Sequence, residues 1–250
     1  MELKPDERID DLGRRGYRII QNRKKFCFGI DAAFLAWFAR ISPGEQAADL
    51  GTGTGIVPLL MEARNACGQY TGLEIMEGMA EMAARSVQLN RTEDHIRIVT
   101  GDLKEASALL GKGCFDVVTS NPPYMPVNHG LQNPDPEKAA ARHEILCTLD
   151  DVIREAALLL KPRGRLYLVH RPARLPGILE RMSTYKLAPS RLLFVHPFAD
   201  KEASLVLVSG TKGGKDILKT EPPVVIYRAP GEYTDRLLEI YQEEKTAAEG

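Results

Sequence analysis

The sequence predicts an α/β protein with a doubly wound, mostly parallel sheet, and three observations support this prediction. Short apolar runs alternate along the chain with amphipathic stretches of helical spacing. A glycine-rich turn follows the first apolar run of this series. The last two apolar runs are separated by only a few residues. The alternation is typical of one Rossmann-like domain with helices on both faces of its sheet.

The composition indicates a soluble globular protein of 250 residues. Hydrophobic residues make up 44% of the chain and charged residues 27%, which suits one well-filled core. No run of about 18 apolar residues occurs, and the N-terminus lacks the apolar stretch of a signal peptide. The four cysteines lie far apart without CxxC spacing. We therefore expect a cytoplasmic protein with reduced thiols, no metal site and no membrane contact.

The first helix is predicted after a polar, basic N-terminal arm that spans residues 1–28. In "GIDAAFLAWFAR", Asp31 can cap a helix whose apolar side chains recur at helical spacing. These side chains are Phe34, Leu35, Trp37, Phe38 and Ile41. The folded domain is expected to span residues 29–242, followed by a frayed tail at residues 243–250.

The βαβα alternation then supplies the sheet and its helices. The predicted strands are "QAADL", "QYTGLEI", "IRIVTGD", "CFDVVTS" and "GRLYLVH". The predicted helices are "IVPLLMEARNA", "GMAEMAARSVQLN" and "LDDVIREAALLL". Two further strands, "RLLFVHP" and "ASLVLVSG", are joined by "FADKE", which is too short for a helical crossover. This pair is therefore expected to form an antiparallel hairpin.

The glycine-rich turn "DLGTGTGI" carries Asp49, Gly51, Gly53 and Gly55 in the pattern D-x-G-x-G-x-G. Glycines let the backbone turn sharply and approach a ligand closely. A dinucleotide fingerprint requires a small residue where this turn has Ile56, and no P-loop lysine follows. The turn instead resembles motif I of S-adenosylmethionine-dependent methyltransferases, whose cofactor carries no phosphate.

Two further carboxylates follow the second and third strands. Glu74 lies 19 residues after Gly55, where a carboxylate can accept hydrogen bonds from both ribose hydroxyls of a nucleoside. Asp102 follows the third strand, where this fold usually places a group for the adenine amino edge. A turn or helix cap explains Asp102 equally well.

The stretch "NPPY", residues 121–124, lies at the carboxyl end of the fourth strand, the ligand-binding edge of an open α/β sheet. The side-chain oxygen of Asn121 and the carbonyl of Pro122 can each accept one N–H of an exocyclic amino group. Pro122 and Pro123 stiffen the turn, and Tyr124 offers a flat face on which a base can stack. Taken alone, the stretch is also a common rigid turn.

The whole chain resembles the bacterial tRNA adenine-N6 methyltransferases that modify an adenosine beside the anticodon of valine tRNA. The resemblance rests on "FCFGIDAAFLAWFA", "NPPYMPV", "ARHE", "LLLKPRGRLYLVHRPARL", "VHPFADKEASLVLV" and "PPVVIY". It implies a class I methyltransferase fold with a mostly parallel, seven-stranded sheet, S-adenosyl-L-methionine as cofactor and tRNA as substrate. It implies cofactor contacts from Asp31, Asp49, Gly51, Thr52, Gly53, Gly55, Glu74, Asp102 and Asn121. It implies catalytic roles for Asn121, Pro122, Pro123 and Tyr124.

Two basic stretches are candidate RNA contacts. Residues 12–30 hold six basic residues and no acid, and residues 161–191 hold eight Lys or Arg against one acid. Read with the family, the candidate contacts are Arg14, Arg15, Arg23, Lys24, Lys25 and Arg142. The segment that carries Arg142, residues 125–147, is expected to close over a flipped base. A solvated surface, or for Arg142 a plain pair with Glu144, is the alternative.

Three other functions stay open at this point. Protein glutamine-N5 methyltransferases use the same Asn-Pro-Pro-Tyr motif, but only about 45 residues precede the glycine turn here, which leaves little room for their N-terminal domain. Ribosomal RNA guanine-N2 methyltransferases are closer rivals. A cofactor-binding scaffold without catalysis is disfavoured because Asn121 and the glycines are intact.

Overall fold

The computed structural model describes residues 3–22, 24, 29–66, 68–122, 147–215 and 217–242. An N-terminal pair of strands, β1 (Glu7–Asp11) and β2 (Arg18–Asn22), precedes the main sheet. The main strands are β3 (Gln46–Leu50), β4 (Gln69–Glu74), β5 (Ile96–Thr100), β6 (Phe115–Ser120), β7 (Leu160–His170), β8 (Leu187–His196) and β9 (Leu205–Lys212). Short strands follow as β10 (Lys219–Thr220), β11 (Val224–Val225), β12 (Tyr227–Ala229) and β13 (Glu232–Tyr233).

Seven helices lie within the described residues. They are α1 (Ile30–Phe38), α2 (Ile56–Arg64), α3 (Glu77–Leu89), α4 (Ala106–Leu110), α5 (Leu149–Leu159), α6 (Leu175–Thr184) and α7 (Asp235–Gln242). The start of α5 shows how the sequence fixes a boundary. Thr148 Oγ1 accepts the N–H of Asp151 at 3.2 Å, and the Asp151 carboxylate accepts the N–H of Thr148 at 3.0 Å. This reciprocal capping box satisfies two N–H groups at the helix start.

The strand order of the main sheet is β8-β9-β7-β6-β3-β4-β5, with β10 and β11 pairing in parallel along the outer edge of β8. Among the described strands of this sheet, only β9 runs antiparallel to its neighbours, β7 and β8. The predicted doubly wound class I fold, with seven main strands and an antiparallel C-terminal hairpin, is thus confirmed. The chain order reverses between β3 and β6, and ligands bind at such a reversal in open α/β sheets.

Alternating residues of the central strands fill two cores, one on each face of the sheet. On β7, Tyr167 and Val169 pack with the cluster that includes α1, α2 and α7. Leu166 and Leu168 pack with the cluster that includes α5 and α6 on the opposite face. Helices therefore cover both faces, and the strand ends at the carboxyl edge are left for the site.

The segment expected to be a basic arm is a β-hairpin that packs on α3. The Ile20 amide donates to Ser86 Oγ at 3.0 Å, and Ile20 is fully buried beside Met79 and Met82. At one end of the hairpin Arg85 forms a salt bridge with Glu7, 2.5 Å between Nη2 and Oε1. The hairpin is thus part of the packed domain over its described residues.

Arg14, one of the predicted RNA contacts, is held inside the folded domain. Arg14 is only 7% exposed, and its guanidinium donates to the backbone carbonyls of Ile240 and Tyr241 near the end of α7. A cation at this place satisfies carbonyl groups that a helix end leaves without an intrahelical donor. Arg14 therefore joins the hairpin turn to α7.

Helix α6 was not predicted, although it lies within a basic stretch that the sequence singles out. Its buried residues Ile178 and Met182 face the core, one helical turn apart. None of the helices in the described part of the chain is long and apolar enough to cross a bilayer.

Candidate functional site

The glycine turn lies between β3 and α2 and adopts the backbone that its composition predicts. Gly51, Gly53 and Gly55 have φ values of +73°, +57° and +78°, a region that residues with a Cβ rarely adopt. The amides of Gly51 and Thr52 both donate to the Leu73 carbonyl, at 2.9 and 3.0 Å. These bonds fix the turn against the end of β4.

The space in front of this turn fits a ligand that approaches the backbone. A Cβ added at Gly51 would meet no atom within 4 Å, whereas at Gly55 it would lie 3.2 Å from Ala83 Cβ. Gly51 therefore faces open space, and Gly55 permits the close approach of α2 and α3. The predicted cofactor has room at the first glycine, and the third glycine serves packing.

Glu74 ends β4 and is 5% exposed. One carboxylate oxygen accepts the Gly53 amide at 2.8 Å, and the other accepts the Met76 amide at 2.9 Å. Burial raises the pKa of Glu74, and these backbone hydrogen bonds work in the opposite direction. The carboxylate is therefore held rigidly between the glycine turn and the start of α3, and its remaining lone pairs can accept ribose hydroxyls.

Asp49 lies on β3, two residues before Gly51. It is 4% exposed, and its Oδ1 accepts the hydroxyl of Thr119 on β6 at 2.7 Å. Burial raises the pKa of Asp49 to about 6. Asp49 thus joins the two strands between which the chain order reverses.

The other two predicted carboxylates make local helix-start contacts. Asp102 accepts the Lys104 amide at 2.9 Å and caps a short 3-10 turn. Asp31 was expected to cap α1, but the helix begins at Ile30 with Gly29 at the cap position. The Asp31 carboxylate accepts the Ala32 amide at 2.9 Å and lies against Gly29, where a Cβ would be 2.7 Å from Oδ1. Cofactor contacts from either residue remain predictions.

Asn121 is brought to the glycine turn by strand register. Leu50 of β3 pairs with Ser120 of β6, so the residues that follow them, Gly51 and Asn121, leave adjacent strands at the same level. Neighbouring strands lie about 4.8 Å apart. Asn121 is half-buried and Pro122 is buried. Pro123 and Tyr124, the rest of the predicted catalytic stretch, lie outside the described residues.

His170, the last residue of β7, lies at this edge together with Arg171 and Arg174 of the turn that follows. The site prediction did not include these three residues. Ser120 pairs with Leu168, so His170 is level with Pro122 on the neighbouring strand. His170 is 1% exposed, and its Nδ1 accepts the Arg171 amide at 2.8 Å. Burial, and then the charges of Arg174 and Arg171, lower the pKa of His170 to about 4. The imidazole is therefore neutral near pH 7, with its proton on Nε2.

The structure describes two of the remaining predicted RNA contacts, Arg15 and Lys24. Arg15 is exposed in the turn of the N-terminal hairpin, at the end where the Arg18 amide donates to the side chain of Asn90, the residue after α3. Lys24 is exposed and pairs with Asp6, 2.9 Å between Nζ and Oδ2. Arg23, Lys25 and Arg142 lie outside the described residues, as do residues 125–146 of the expected closing segment and the tail at 243–250.

Sequence comparisons agree on the kind of domain. Residues 30–183 match the methyltransferase small domain family. A curated protein of Porphyromonas gingivalis, named tRNA1(Val) (adenine(37)-N6)-methyltransferase, is 34% identical over 72% of this chain and 72% of its own length. A protein of Aeromonas salmonicida with the same name is 28% identical over 90% of this chain and 92% of its own.

Structural comparisons support the same fold. A crystal structure from Agrobacterium tumefaciens, described as a predicted O-methyltransferase, superposes with a TM-score of 0.68 at 24% identity, covering 84% of this chain and 95% of that one. Geranyl diphosphate C-methyltransferase from Streptomyces coelicolor, solved with S-adenosyl-L-homocysteine, gives 0.54 at 16% identity, covering 73% and 80%. At these identities the likeness concerns the fold alone.

Proposed function

Because the chain belongs to the methyltransferase small domain family, we propose that it transfers a methyl group from S-adenosyl-L-methionine to the N6 amino group of an adenine in tRNA. The observation that carries this proposal is the register that sets Asn121 beside Gly51, the first residue of the glycine turn. The names of the relatives in Porphyromonas gingivalis and Aeromonas salmonicida support adenine 37 of tRNA1(Val) as the target.

The cofactor half of the site would hold its ligand by shape and charge. When bound, S-adenosyl-L-methionine supplies a methyl group on a positively charged sulfur. Gly51 and Gly53 would let the backbone approach the ligand, and Glu74 would accept hydrogen bonds from its ribose. Asp102 is proposed to face the adenine of the cofactor, and Asp31 to lie beside its amino-acid end.

Asn121 and Pro122 would act on the acceptor amine. The amino nitrogen of adenine is a weak nucleophile because its lone pair is delocalised into the ring. The Asn121 side-chain oxygen and the Pro122 carbonyl each accept one N–H, which favours a tetrahedral nitrogen with its lone pair directed at the methyl group. The fixed φ of Pro122 keeps its carbonyl in place. The surplus proton leaves to water after transfer, so positioning and electrostatics carry the rate enhancement.

Incubation with isotopically labelled S-adenosyl-L-methionine and total RNA, followed by nucleoside mass spectrometry, tests the proposal. We expect labelled N6-methyladenosine in the tRNA fraction. In a parallel incubation, total cell protein replaces the RNA, and its digest is analysed in the same way. Labelled N2-methylguanosine in ribosomal RNA, or label on a protein glutamine, would contradict the proposal and favour one of the two rival methyltransferases.

A further inference from the structure

The basic stretch at residues 161–191 contains eight Lys or Arg side chains, and the structure divides them by location. Four of them form ion pairs with acids from other elements of the fold. The pairs are Lys161–Asp116 at 2.7 Å, Arg165–Glu45 at 2.5 Å, Arg181–Asp150 at 3.7 Å and Arg191–Glu221 at 2.5 Å. Their charges are largely balanced within the protein.

Two more of the eight lie at the amino edge of the sheet. Arg163 is exposed near the start of β7, where Leu160 pairs with Phe115, the first residue of β6. Lys186 is exposed directly before Leu187, the first residue of β8. Asn121 leaves the opposite edge, so these two cations lie on the far side of the sheet from the acceptor site.

The last two, Arg171 and Arg174, lie at the carboxyl edge beside the acceptor site. They follow His170, which is level with Pro122 on the adjacent strand. The last β6–β7 pair is Ser120–Leu168, and neighbouring strands are about 4.8 Å apart, so the chain leaves β7 at Arg171 on the same edge of the sheet as Asn121. Arg171 is exposed and Arg174 is half-buried.

The turn that carries the two arginines is held in place by hydrogen bonds. The Arg171 amide donates to His170 Nδ1 at 2.8 Å, and Arg171 Nη1 donates to the Ser204 carbonyl at 3.1 Å. The Arg174 amide donates to the Arg171 carbonyl at 3.0 Å and closes a 3-10 turn. The backbone of the turn and the Arg171 guanidinium are therefore ordered before a phosphate binds, which lowers the entropy cost of binding.

The sign of charge also changes along the carboxyl edge. The ends of β3 and β4 carry the carboxylates Asp49 and Glu74, whereas the turn after β7 carries Arg171 and Arg174. A polyanion is repelled by the first group and attracted by the second. An RNA strand that presents a base to Asn121 therefore has a favourable approach over the end of β7.

We propose that Arg171 and Arg174 bind backbone phosphates of the RNA strand next to the nucleotide that is presented to Asn121. This inference rests on the proposed function and names the part of the site that holds its substrate. Arginine suits this role because its planar guanidinium can donate two parallel hydrogen bonds to one phosphate.

The test compares two double variants that remove the same charge. Arg171→Gln with Arg174→Gln should raise the Kd for tRNA about 10- to 100-fold at low salt and lower the slope of log K against log salt concentration by about 1.5. The Kd for S-adenosyl-L-homocysteine should not change, which also reports that the variant is folded. Arg163→Gln with Lys186→Gln, at the opposite edge, is the matched control and should leave the slope within about 0.3 of the wild-type value.

A third variant separates charge from local structure. Arg171→Lys with Arg174→Lys keeps both charges, so most of the wild-type slope should remain. A wild-type slope in the glutamine variant of an enzyme that still methylates tRNA would overturn this inference and leave the proposed function standing. Equal losses in both glutamine variants would also overturn it. Absence of N6-methyladenosine from tRNA treated with wild-type protein would instead overturn the proposed function.

Discussion

The carboxyl edge of the sheet has two halves that are built differently. The cofactor half, at the ends of β3, β4 and β5, is acidic, and Glu74 binds the nearby glycine turn through the Gly53 amide. The acceptor half, at the ends of β6 and β7, is assembled by strand register and carries Asn121, Arg171 and Arg174. The difference shows how one edge can accommodate a cationic cofactor and a polyanionic substrate side by side.

The largest effect is expected from Asn121→Ala, which removes the acceptor half's proposed contact with the amine. Turnover of tRNA should fall about 100-fold or more, as for loss of an oriented partner of the reacting group. The Kd for S-adenosyl-L-homocysteine, measured by calorimetry, should stay within about twofold of wild type because the glycine turn is untouched. Gln88→Ala, an exposed amide at the end of α3, is the control. Near-normal turnover in Asn121→Ala would remove this residue from catalysis.

A smaller effect is expected from Glu74→Gln in the cofactor half, and it should appear in cofactor binding rather than in the rate of methyl transfer. The Kd for the cofactor should rise about 10- to 100-fold because charge-assisted hydrogen bonds are weakened. Glu77→Gln, an exposed acid in the first turn of α3, should bind the cofactor as wild type does. Calorimetric titration distinguishes the two variants, and an unchanged dissociation constant for Glu74→Gln would refute the ribose contact.

Because of Asp49, the free energy of unfolding should decrease as the pH rises through the titration range of this residue. Its pKa is raised from 3.8 to about 6 in the folded protein, so the folded state holds the proton more tightly than the unfolded chain. The stability that protonated Asp49 contributes is present below about pH 4 and is lost by about pH 6. Relative to Asp49→Asn, wild type should lose roughly 2 to 3 kcal/mol across this range in urea unfolding.

Asp116 provides a control of opposite sign for that measurement. Burial alone would raise the pKa of Asp116, but the Gln46 amide and Lys161 outweigh burial and lower it. Wild type should therefore gain stability relative to Asp116→Asn as pH rises through the acidic range. The same sign of pH dependence for both substitutions would contradict the assignment of Asp49 as a buried, destabilised carboxylate.

The smallest effect is expected from Arg14→Gln, outside both halves of the site. Loss of its hydrogen bonds to Ile240 and Tyr241 should lower the free energy of unfolding by about 1 to 2 kcal/mol. The salt slope for tRNA binding should not change. Arg15→Gln, the exposed neighbour, should alter stability by less than about 0.5 kcal/mol. A weaker salt slope in Arg14→Gln at unchanged stability would restore Arg14 as an RNA contact.

The cofactor half could be predicted from sequence because its signals are local. Gly51, Gly53 and Gly55 take the left-handed conformations that only glycine adopts readily, and Glu74 follows at the end of the next strand. The central strands were also predicted, since buried parallel strands read as short apolar runs. These signals lie within single turns and strands, so they can be recognised before the tertiary contacts are known.

The N-terminal hairpin and α6 escaped prediction for local reasons too. In β2 the consecutive residues Ile19, Ile20 and Gln21 are all buried, so no alternation of apolar and polar residues marks the strand. Helix α6 begins with Leu175 and Pro176, and although proline is tolerated in the first turn, it gives no positive signal for the ten-residue helix that follows.

The roles of the arginines depend on contacts between distant parts of the chain. Arg14 binds α7 across more than 220 residues of sequence, and four half-buried cations of the second basic stretch form ion pairs with acids from other elements. Arg171 and Arg174 reach the acceptor site only through the register of β6 and β7. Composition identified the basic stretches, but only tertiary structure distinguishes the cations that lie on the same edge of the sheet as Asn121.

Single-turnover methylation of tRNA at increasing cofactor concentration tests the division of the edge most directly. Glu74→Gln should recover a rate near that of wild type when the cofactor is saturating. Asn121→Ala should stay about 100-fold slow at every cofactor concentration. Recovery of the Asn121→Ala rate by excess cofactor, or a Glu74→Gln rate that stays low at saturation, would contradict the division of the edge into a cofactor half and an acceptor half.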